Sequence, residues 1–103
     1  MTIWFISRHP GALDWAKAQG LAIDRHCPHL SDENLQKDIA AGDTVIGSLP
    51  VHLAAIVCQR GAAYYNLSLD LPAHLRGKEL SAEELIACNA RLEPYLVTRI
   101  INP

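Results

Sequence analysis

Strand-like apolar segments alternate with helical patterns along the chain, and this alternation constrains the fold more than any other feature. Strand patterns fall at residues 2–7, 21–27, 44–48, 62–69 and 95–101. Helical patterns fall between them, at residues 11–19, 31–41, 50–60 and 81–92. Strands and helices that alternate at these lengths form units in which consecutive strands are parallel. We therefore expect an α/β fold: a mainly parallel sheet of about five strands, with helices on both faces.

Residues with known preferences for helix ends mark the expected boundaries. Gly20 and Gly61 stand where a glycine commonly closes a helix. Pro50 suits the first turn of the third helix, and Ser81 begins a capping box before the last helix. Pro94 is expected to separate the last helix from the last strand. These signals predict a compact, Rossmann-like three-layer domain that spans residues 1–103, and they leave the strand order open.

Composition and charge exclude several classes of protein. The chain has 103 residues, of which 50% are hydrophobic and 19% are charged, as in an ordinary soluble domain. No apolar run is long enough to cross a bilayer, and the basic start of a signal peptide is absent, so we expect a cytoplasmic protein. A formal net charge of −2 argues against a long nucleic acid as the partner. The charge still allows a small anion, bound by a few local cations, as the partner.

Cysteine spacing and the missing nucleotide motifs argue against metals and common cofactors. Cys27, Cys58 and Cys88 show no CxxC spacing, so we interpret them as small buried hydrophobic residues. The crowded group of Cys27 with His26 and His29 has no spaced partner to complete a metal site. Neither GxGxxG nor GxxxxGK[ST] occurs, which removes the usual dinucleotide and triphosphate fingerprints.

The first apolar run ends abruptly in Ser7, Arg8 and His9, which are followed by Pro10 and Gly11. In open α/β sheets, ligands bind beyond the carboxyl ends of such strands. Arg8 offers a fork of donors for phosphate, and His9 can transfer a proton near neutral pH. Gly11 would let the backbone approach a ligand at the helix start. The alternative is that Arg8 and His9 are solvated side chains beside a simple turn.

Two further segments follow strands, and each has a structural alternative. Gly47 could permit close approach of the backbone to a ligand, and Ser48 could bond a phosphate or a ribose hydroxyl, or Ser48 could only cap the next helix. Ser68 and Asp70 share one strand face with Asn66. That face either borders a cleft, which would make its polar residues ligand contacts, or it meets solvent. Asp70, which precedes Leu71 and Pro72, could also form a turn.

The loop at residues 73–80 carries three potential cations, His74, Arg76 and Lys78, around Gly77. Such a loop could close over an anion, although charged loops are usually just solvated. The chain shows no order typical of a Ser/His/Asp triad and no paired carboxylates. Chemistry that needs only cations, a hydroxyl and a histidine fits this inventory, and RNA cleavage by the substrate's own 2′-hydroxyl is one such reaction.

Several of these motifs, in this order, resemble a known family. The resemblance rests on the S-R-H-P-G motif at residues 7–11, on segments 42–50 and 67–72, and on segment 75–80 with its following capping box. These motifs are similar to those of the small Csx-type accessory proteins of type III CRISPR loci. That family is similar to the ring nucleases, which cleave cyclic oligoadenylates, mainly cyclic tetra-adenylate, and so switch off the antiviral signal.

The resemblance implies a homodimer related to the CARF fold that cuts the ring without a metal or cofactor. A ring with two-fold symmetry would lie across the dimer axis. In this hypothesis Arg8 steadies the scissile phosphate and His9 assists proton transfer. Ser7 completes the catalytic group and would contact a ribose or an adenine. The substrate-binding contacts would come from Gly11, Gly47, Ser48, Ser68, Asp70, Arg76 and Lys78. Two alternatives stay open: a non-catalytic protein that sequesters the ring, and a structural or partner-binding module.

Overall fold

The chain forms a five-stranded sheet with helices on both faces. The computed structural model describes residues 1–29 and 38–100. The strands are β1 (Ile3–Ile6), β2 (Arg25–Cys27), β3 (Thr44–Gly47), β4 (Ala63–Ser68) and β5 (Arg91–Tyr95). The described helices are α1 (Pro10–Ala18), α2 (Val51–Gln59) and α3 (Ala82–Ala87), with a short 3-10 turn at Ala73–Leu75. This arrangement confirms the Rossmann-like α/β fold, and the helix expected at 31–41 falls mainly outside the described residues.

The strand order is β2-β1-β3-β4-β5. Strands β1 to β4 pair in parallel, and β5 runs antiparallel beside β4. The chain places β2 on one side of β1 and β3 on the other, so its connections diverge between β1 and β3. In open α/β sheets this switch point, beyond the carboxyl ends of the strands, is where ligands bind.

Side chains that alternate along the strands divide the core into two layers. Successive strand residues point to opposite faces, so neighbours such as Trp4 and Phe5 belong to different layers. The layer against α2 includes Trp4, Val45, Leu53, Val57 and Tyr64. The layer against α1 and α3 includes Phe5, Trp15, Ile46, Leu67 and Leu85. Helices therefore cover both faces of the sheet, as the sequence pattern predicts.

The sequence signals for helix ends are largely confirmed. Gly20 after α1 and Gly61 after α2 both adopt positive φ, and the amides around them close the helix ends in Schellman motifs. The Ser81 side chain accepts a hydrogen bond from the Glu84 backbone, and the Glu84 side chain accepts one from the Ser81 backbone, which completes the capping box. Pro50 differs by one position, because it precedes α2 as the N-cap residue.

The predictions for the last helix and the last strand are wrong. α3 ends at Ala87, because Asn89 adopts a left-handed φ of 56° and reverses the chain. The strand follows at once, at Arg91–Tyr95 rather than 95–101, and it is antiparallel. Pro94 lies inside this strand instead of before it. β5 is an edge strand, and an edge tolerates a residue that has no backbone N–H.

The three cysteines carry free thiols. Cys88 is buried, as expected for a thiol that acts as a small hydrophobic residue. Cys27 and Cys58 are only half-buried, and both pack against the α2 layer of the core.

The helices are short. α1 and α2 have 9 residues each, and α3 has 6. Across residues 1–29 and 38–100, none of the helices is long and apolar enough to span a membrane.

Candidate functional site

A cavity of about 460 Å³ opens at the carboxyl edge of the sheet, at the switch point between β1 and β3. This volume lies within the range of small-ligand sites. Apolar side chains form much of its wall: Ile6, Leu49, Leu53, Leu67, Leu69 and Leu85. Its polar lining residues are Ser7, Arg8, His9, His29 and Ser48. The predicted residues of the first and third strand ends therefore meet in one cavity.

Hydrogen bonds hold the turn after β1 in a fixed shape. The Oγ of Ser7 accepts a hydrogen bond from the backbone N–H of His9 at 3.1 Å. The backbone N–H of Ser7 donates to the carbonyl oxygen of Cys27 at 3.0 Å. The carbonyl oxygen of Ser7 lies 3.2 Å from Nε2 of His26. Ser7 is thus anchored to β2, and its hydroxyl shapes the turn that presents Arg8 and His9.

Arg8 brings a positive charge to the cavity. Its side chain is exposed and makes no hydrogen bond or ion pair with any residue in the ranges 1–29 and 38–100. A guanidinium group stays charged at any physiological pH and offers five N–H donors. The described lining contains no carboxylate that would neutralise it. The electrostatics of the cavity therefore favour an anionic ligand.

The hydrogen bonding of His9 fixes where its ring carries the proton. The backbone N–H of Leu80 donates to Nδ1 of His9 at 3.3 Å. This bond requires an unprotonated Nδ1, so the neutral ring carries its proton on Nε2. His9 thus lines the cavity as a half-buried N–H donor, with its lone pair directed at Leu80.

The turn after β3 combines a structural glycine with a site serine. A Cβ on Gly47 would lie 2.4 Å from the carbonyl oxygen of Ile6, so the close approach of β1 and β3 requires a glycine there. The hydroxyl of Ser48 donates to the carbonyl oxygen of Leu67 at 2.9 Å and lines the cavity. The alternative that Ser48 only caps the next helix is wrong, because Pro50 occupies the N-cap without a side-chain hydrogen bond.

Gly11 and Ser68, which the sequence placed among the ligand contacts, lie outside the described cavity lining. Gly11 is buried where α1 meets the start of α3, and an added Cβ would lie 2.3 Å from the carbonyl oxygen of Leu80. The Oγ of Ser68 accepts a hydrogen bond from Nδ2 of Asn66 at 2.9 Å. Gly11 therefore serves helix packing, and Ser68 belongs to a polar row along β4.

Asp70 is engaged on the β5 side of the sheet rather than in the cavity lining. Its carboxylate accepts a hydrogen bond from Nδ2 of Asn89 at 3.1 Å and forms an ion pair with Arg91 at 3.2 Å. The Asn89 hydrogen bond and then the Arg91 charge lower the pKa of Asp70 from its ordinary value. This exposed group bridges the chain reversal between α3 and β5, and the sequence pattern did not reveal either partner.

The cations Arg76 and Lys78 are exposed in the segment that joins β4 to α3, and they are not part of the cavity lining. This segment contacts the site at both of its ends. Leu69 lines the cavity, and the N–H of Leu80 binds His9. The two cations thus belong to a loop that borders the site.

Sequence reasoning missed two residues at this edge. His29 is exposed and lines the cavity, and the sequence pattern gave it no role at this site. The buried hydroxyl of Tyr64 contacts the turn after β3. The signal for Tyr64 was available, because it stands two residues before Asn66 and so shares its strand face. Within the described ranges, no group of three or more His, Cys, Asp or Glu residues could hold a metal ion.

The fold and its cavity define a Rossmann-like α/β protein with an anion-favouring site at the switch point of its sheet. Residues 4–98 match the family model described as "Putative CRISPR-associated protein (Cas_VVA1548)". The match covers nearly the whole chain, so the protein belongs to this CRISPR-associated family. Comparisons with curated proteins and with solved structures gave no match.

Proposed function

We propose that this CRISPR-associated protein is a ring nuclease that cleaves cyclic oligoadenylate, with cyclic tetra-adenylate as the substrate, and so switches off type III CRISPR signalling. The choice of this ligand rests on the resemblance of the chain's motifs to those of ring-nuclease-like proteins. One structural observation carries the chemistry. Arg8, whose guanidinium has no partner in the described part of the chain, and His9, whose neutral ring carries its proton on Nε2, line the same cavity.

The cavity suits one nucleotide unit of such a ligand. The fork of Arg8 matches a phosphodiester, and the leucine-rich wall matches the face of a base. A volume of about 460 Å³ lies at the lower end for drug-sized ligands, and a ring of four nucleotides is much larger than such a ligand. The rest of the ring would therefore lie outside, where Arg76 and Lys78 could contact further phosphates.

A second copy of the chain would complete the site for the whole ring. Cyclic tetra-adenylate has two-fold symmetry, and a homodimer with the same symmetry would present two cavities to one ring. Each subunit would then supply one Arg8 and one His9. Two such pairs would place four donor side chains against the phosphates, even though the chain as a whole is acidic.

The proposed reaction uses the 2′-hydroxyl of the substrate. Its oxygen attacks the adjacent phosphorus, the bond to the 5′-oxygen breaks, and the products carry a 2′,3′-cyclic phosphate and a 5′-hydroxyl. The proton of the 2′-hydroxyl passes through water to the departing 5′-oxygen. Arg8 stabilises the charge on the non-bridging oxygens, and the Nε2–H of His9 donates to the same phosphate. Ser48 lies in the same lining and would contact the ribose.

Product analysis tests the proposal. Labelled cyclic tetra-adenylate is incubated with excess protein in the presence of EDTA, and we expect linear products with 2′,3′-cyclic phosphate ends. An intact ring after long incubation would overturn the enzymatic function.

The Arg8→Ala variant tests the role of the guanidinium. Because a transition-state charge would lose its stabiliser, we expect single-turnover cleavage to slow by roughly tenfold or more. Arg99→Ala is the matched control, since it removes the same charge from the exposed C-terminal segment. An equal loss in both variants would show that overall charge, rather than Arg8, determines the rate.

A protein that sequesters the ring without cutting it is the second candidate. The observation that favours it is the bond from Leu80 to Nδ1 of His9, which leaves that ring without a free lone pair to accept the 2′-hydroxyl proton. Such a protein would return the ring uncut and would still gain thermal stability from binding it. A structural module would show no thermal shift with the ring.

A further inference from the structure

We propose that Tyr64 is a positioning residue, which holds the turn at residues 47–49 from inside the core and thereby sets the affinity of the cavity for its ligand. The identity of the ligand rests on the proposed function. The hydrogen bonds that hold the turn do not depend on it.

The Tyr64 hydroxyl contacts both ends of this turn. It accepts a hydrogen bond from the backbone N–H of Leu49 at 3.1 Å. It lies 3.1 Å from the carbonyl oxygen of Gly47, to which it can donate. Ser48 stands between these two residues, so one phenol oxygen bridges the residues on either side of it. Ser48 is the middle residue of this turn, and α2 starts directly after the turn.

A polar row along β4 supports the hydroxyl. The Tyr64 oxygen lies 2.6 Å from Oδ1 of Asn66, a second acceptor for its single proton. The Nδ2 of Asn66 donates to Oγ of Ser68 at 2.9 Å, which fixes the orientation of the amide. The row from Tyr64 to Ser68 thus follows one face of β4 toward the carboxyl edge of the sheet, where the cavity opens.

Packing alone does not require a hydroxyl at this position. The Tyr64 side chain is 4% exposed and belongs to the α2 layer, where a phenylalanine ring would fill the same space. Burial of a hydroxyl costs free energy unless it is hydrogen-bonded, so its retention here needs the partners on the turn. Burial also raises the pKa of Tyr64, which keeps the phenol protonated and able to donate as well as accept.

The turn controls three parts of the cavity lining: the side chain of Ser48, the side chain of Leu49, and the start of α2 at Pro50. None of these groups carries the charge of Arg8 or the proton of His9. Loss of the Tyr64 hydroxyl should therefore weaken ligand binding more than it slows the chemical step. A purely structural tyrosine would instead lower stability and leave the binding constant unchanged.

The Tyr64→Phe variant tests this role, with Tyr65→Phe as the matched control. Tyr65 is the next residue of the same strand, it packs in the opposite layer, and its hydroxyl has no hydrogen-bond partner in the described ranges. The first measurement needs no ligand: amide hydrogen exchange at Leu49. We expect faster exchange at Leu49 in Tyr64→Phe and unchanged exchange in Tyr65→Phe. Unchanged exchange in both variants would overturn the role.

The second measurement uses cyclic tetra-adenylate. We expect Tyr64→Phe to raise KM, or the dissociation constant if the ring is not cut, by roughly fivefold, the size of one lost hydrogen bond. The kcat should stay within about twofold, because the interaction serves binding rather than the transition state. A fall in kcat with unchanged KM, or an equal effect in Tyr65→Phe, would contradict the proposal. If the wild-type protein does not bind the ring, the proposed function fails, and the exchange at Leu49 alone decides whether Tyr64 holds the turn.

Discussion

The backbone N–H of Leu80 donates a hydrogen bond to Nδ1 of His9 at 3.3 Å, across a sequence separation of 71 residues. The bond connects the turn after β1 to the segment that starts α3. Gly11 packs against the backbone of the same segment, so the orientation of a candidate site residue depends on how α1 and α3 pack. The site and the helix layer are therefore mechanically coupled.

Two substitutions of His9 separate the functions of its two nitrogens. In His9→Asn the side-chain oxygen can still accept from Leu80, but the donor at the position of Nε2 is lost. In His9→Gln a donor can reach that position, while the acceptor for Leu80 is lost. We expect His9→Asn to slow cleavage by roughly tenfold or more and His9→Gln to slow it less. Single-turnover rates and melting temperatures measure both effects, and equal rates would show that the Nε2–H is dispensable.

Gly11→Ala should destabilise the fold strongly, because its Cβ would lie 2.3 Å from the carbonyl oxygen of Leu80. Either α1 or the start of α3 must move, at a cost of about 2 kcal/mol or more. The contrast is Gly20→Ala, where nothing lies within 4 Å and only the positive φ is unfavourable. That variant should lose about 1 kcal/mol. Urea unfolding compares them, and equal losses would contradict the packing role of Gly11.

Asp43 joins the amino-terminal end of the sheet to a neighbouring loop. Its carboxylate accepts hydrogen bonds from the N–H of Thr2 at 3.0 Å, the indole of Trp4 at 3.2 Å and the N–H of Ala40 at 3.0 Å. The backbone hydrogen bond from Ala40, followed by that from Thr2, lowers the pKa of Asp43 below its ordinary value of 3.8. A carboxylate with a lowered pKa stabilises the fold above 3.8, and this contribution is lost as the pH falls through the lower folded value.

Asp43→Asn should therefore destabilise the protein near neutral pH by about 2 kcal/mol, because an amide NH₂ would face N–H donors. The difference in free energy of unfolding between wild type and variant should stay constant above about pH 5 and shrink below about pH 4. Asp14→Asn, at an exposed position of α1, is the control. If this difference in free energy of unfolding does not change with pH, the ionisation of Asp43 contributes nothing to stability.

Asp70→Ala should change ligand binding and cleavage by less than about twofold, since the carboxylate is engaged by Asn89 and Arg91 rather than in the cavity. We expect only a small fall in melting temperature, because the ion pair is exposed. Arg91→Ala should give a similar small fall. A large loss of cleavage in Asp70→Ala alone would place this carboxylate in contact with the ligand after all.

The elements that local signals specify could be predicted from the sequence. The first four strands are found within or close to their expected bounds, and the capping box at Ser81 is present. The last helix was predicted too long because the helical spacing of its apolar residues continues past the polar Asn89 to Leu92, even though asparagine also adopts the left-handed conformation that ends a helix. Pro94 was misinterpreted as the break before the last strand. A strand at the edge of a sheet tolerates proline, and the sequence does not show that β5 lies at an edge.

The candidate site was predictable where polar residues directly follow parallel strands, as at Ser7, Arg8, His9 and Ser48. The roles of Gly11 and Gly47 were harder to predict. The sequence does not distinguish a glycine that allows close approach of another backbone segment from one that allows close approach of a ligand. Tyr64 was missed because an aromatic residue on a buried strand indicates core packing. Only its spatial neighbours in the folded chain show what the hydroxyl contacts.

The sequence by itself determined the strand and helix alternation, most helix ends and the polar residues at the strand ends, since these depend on contacts within a few residues. Tertiary structure decided the strand order, the antiparallel β5, the proton position on His9 and the partners of Asp70 and Tyr64. These features join residues far apart in the chain, and their energies arise only when the sheet brings the strand ends together. The cavity is such a feature, because it exists only where β1 and β3 meet.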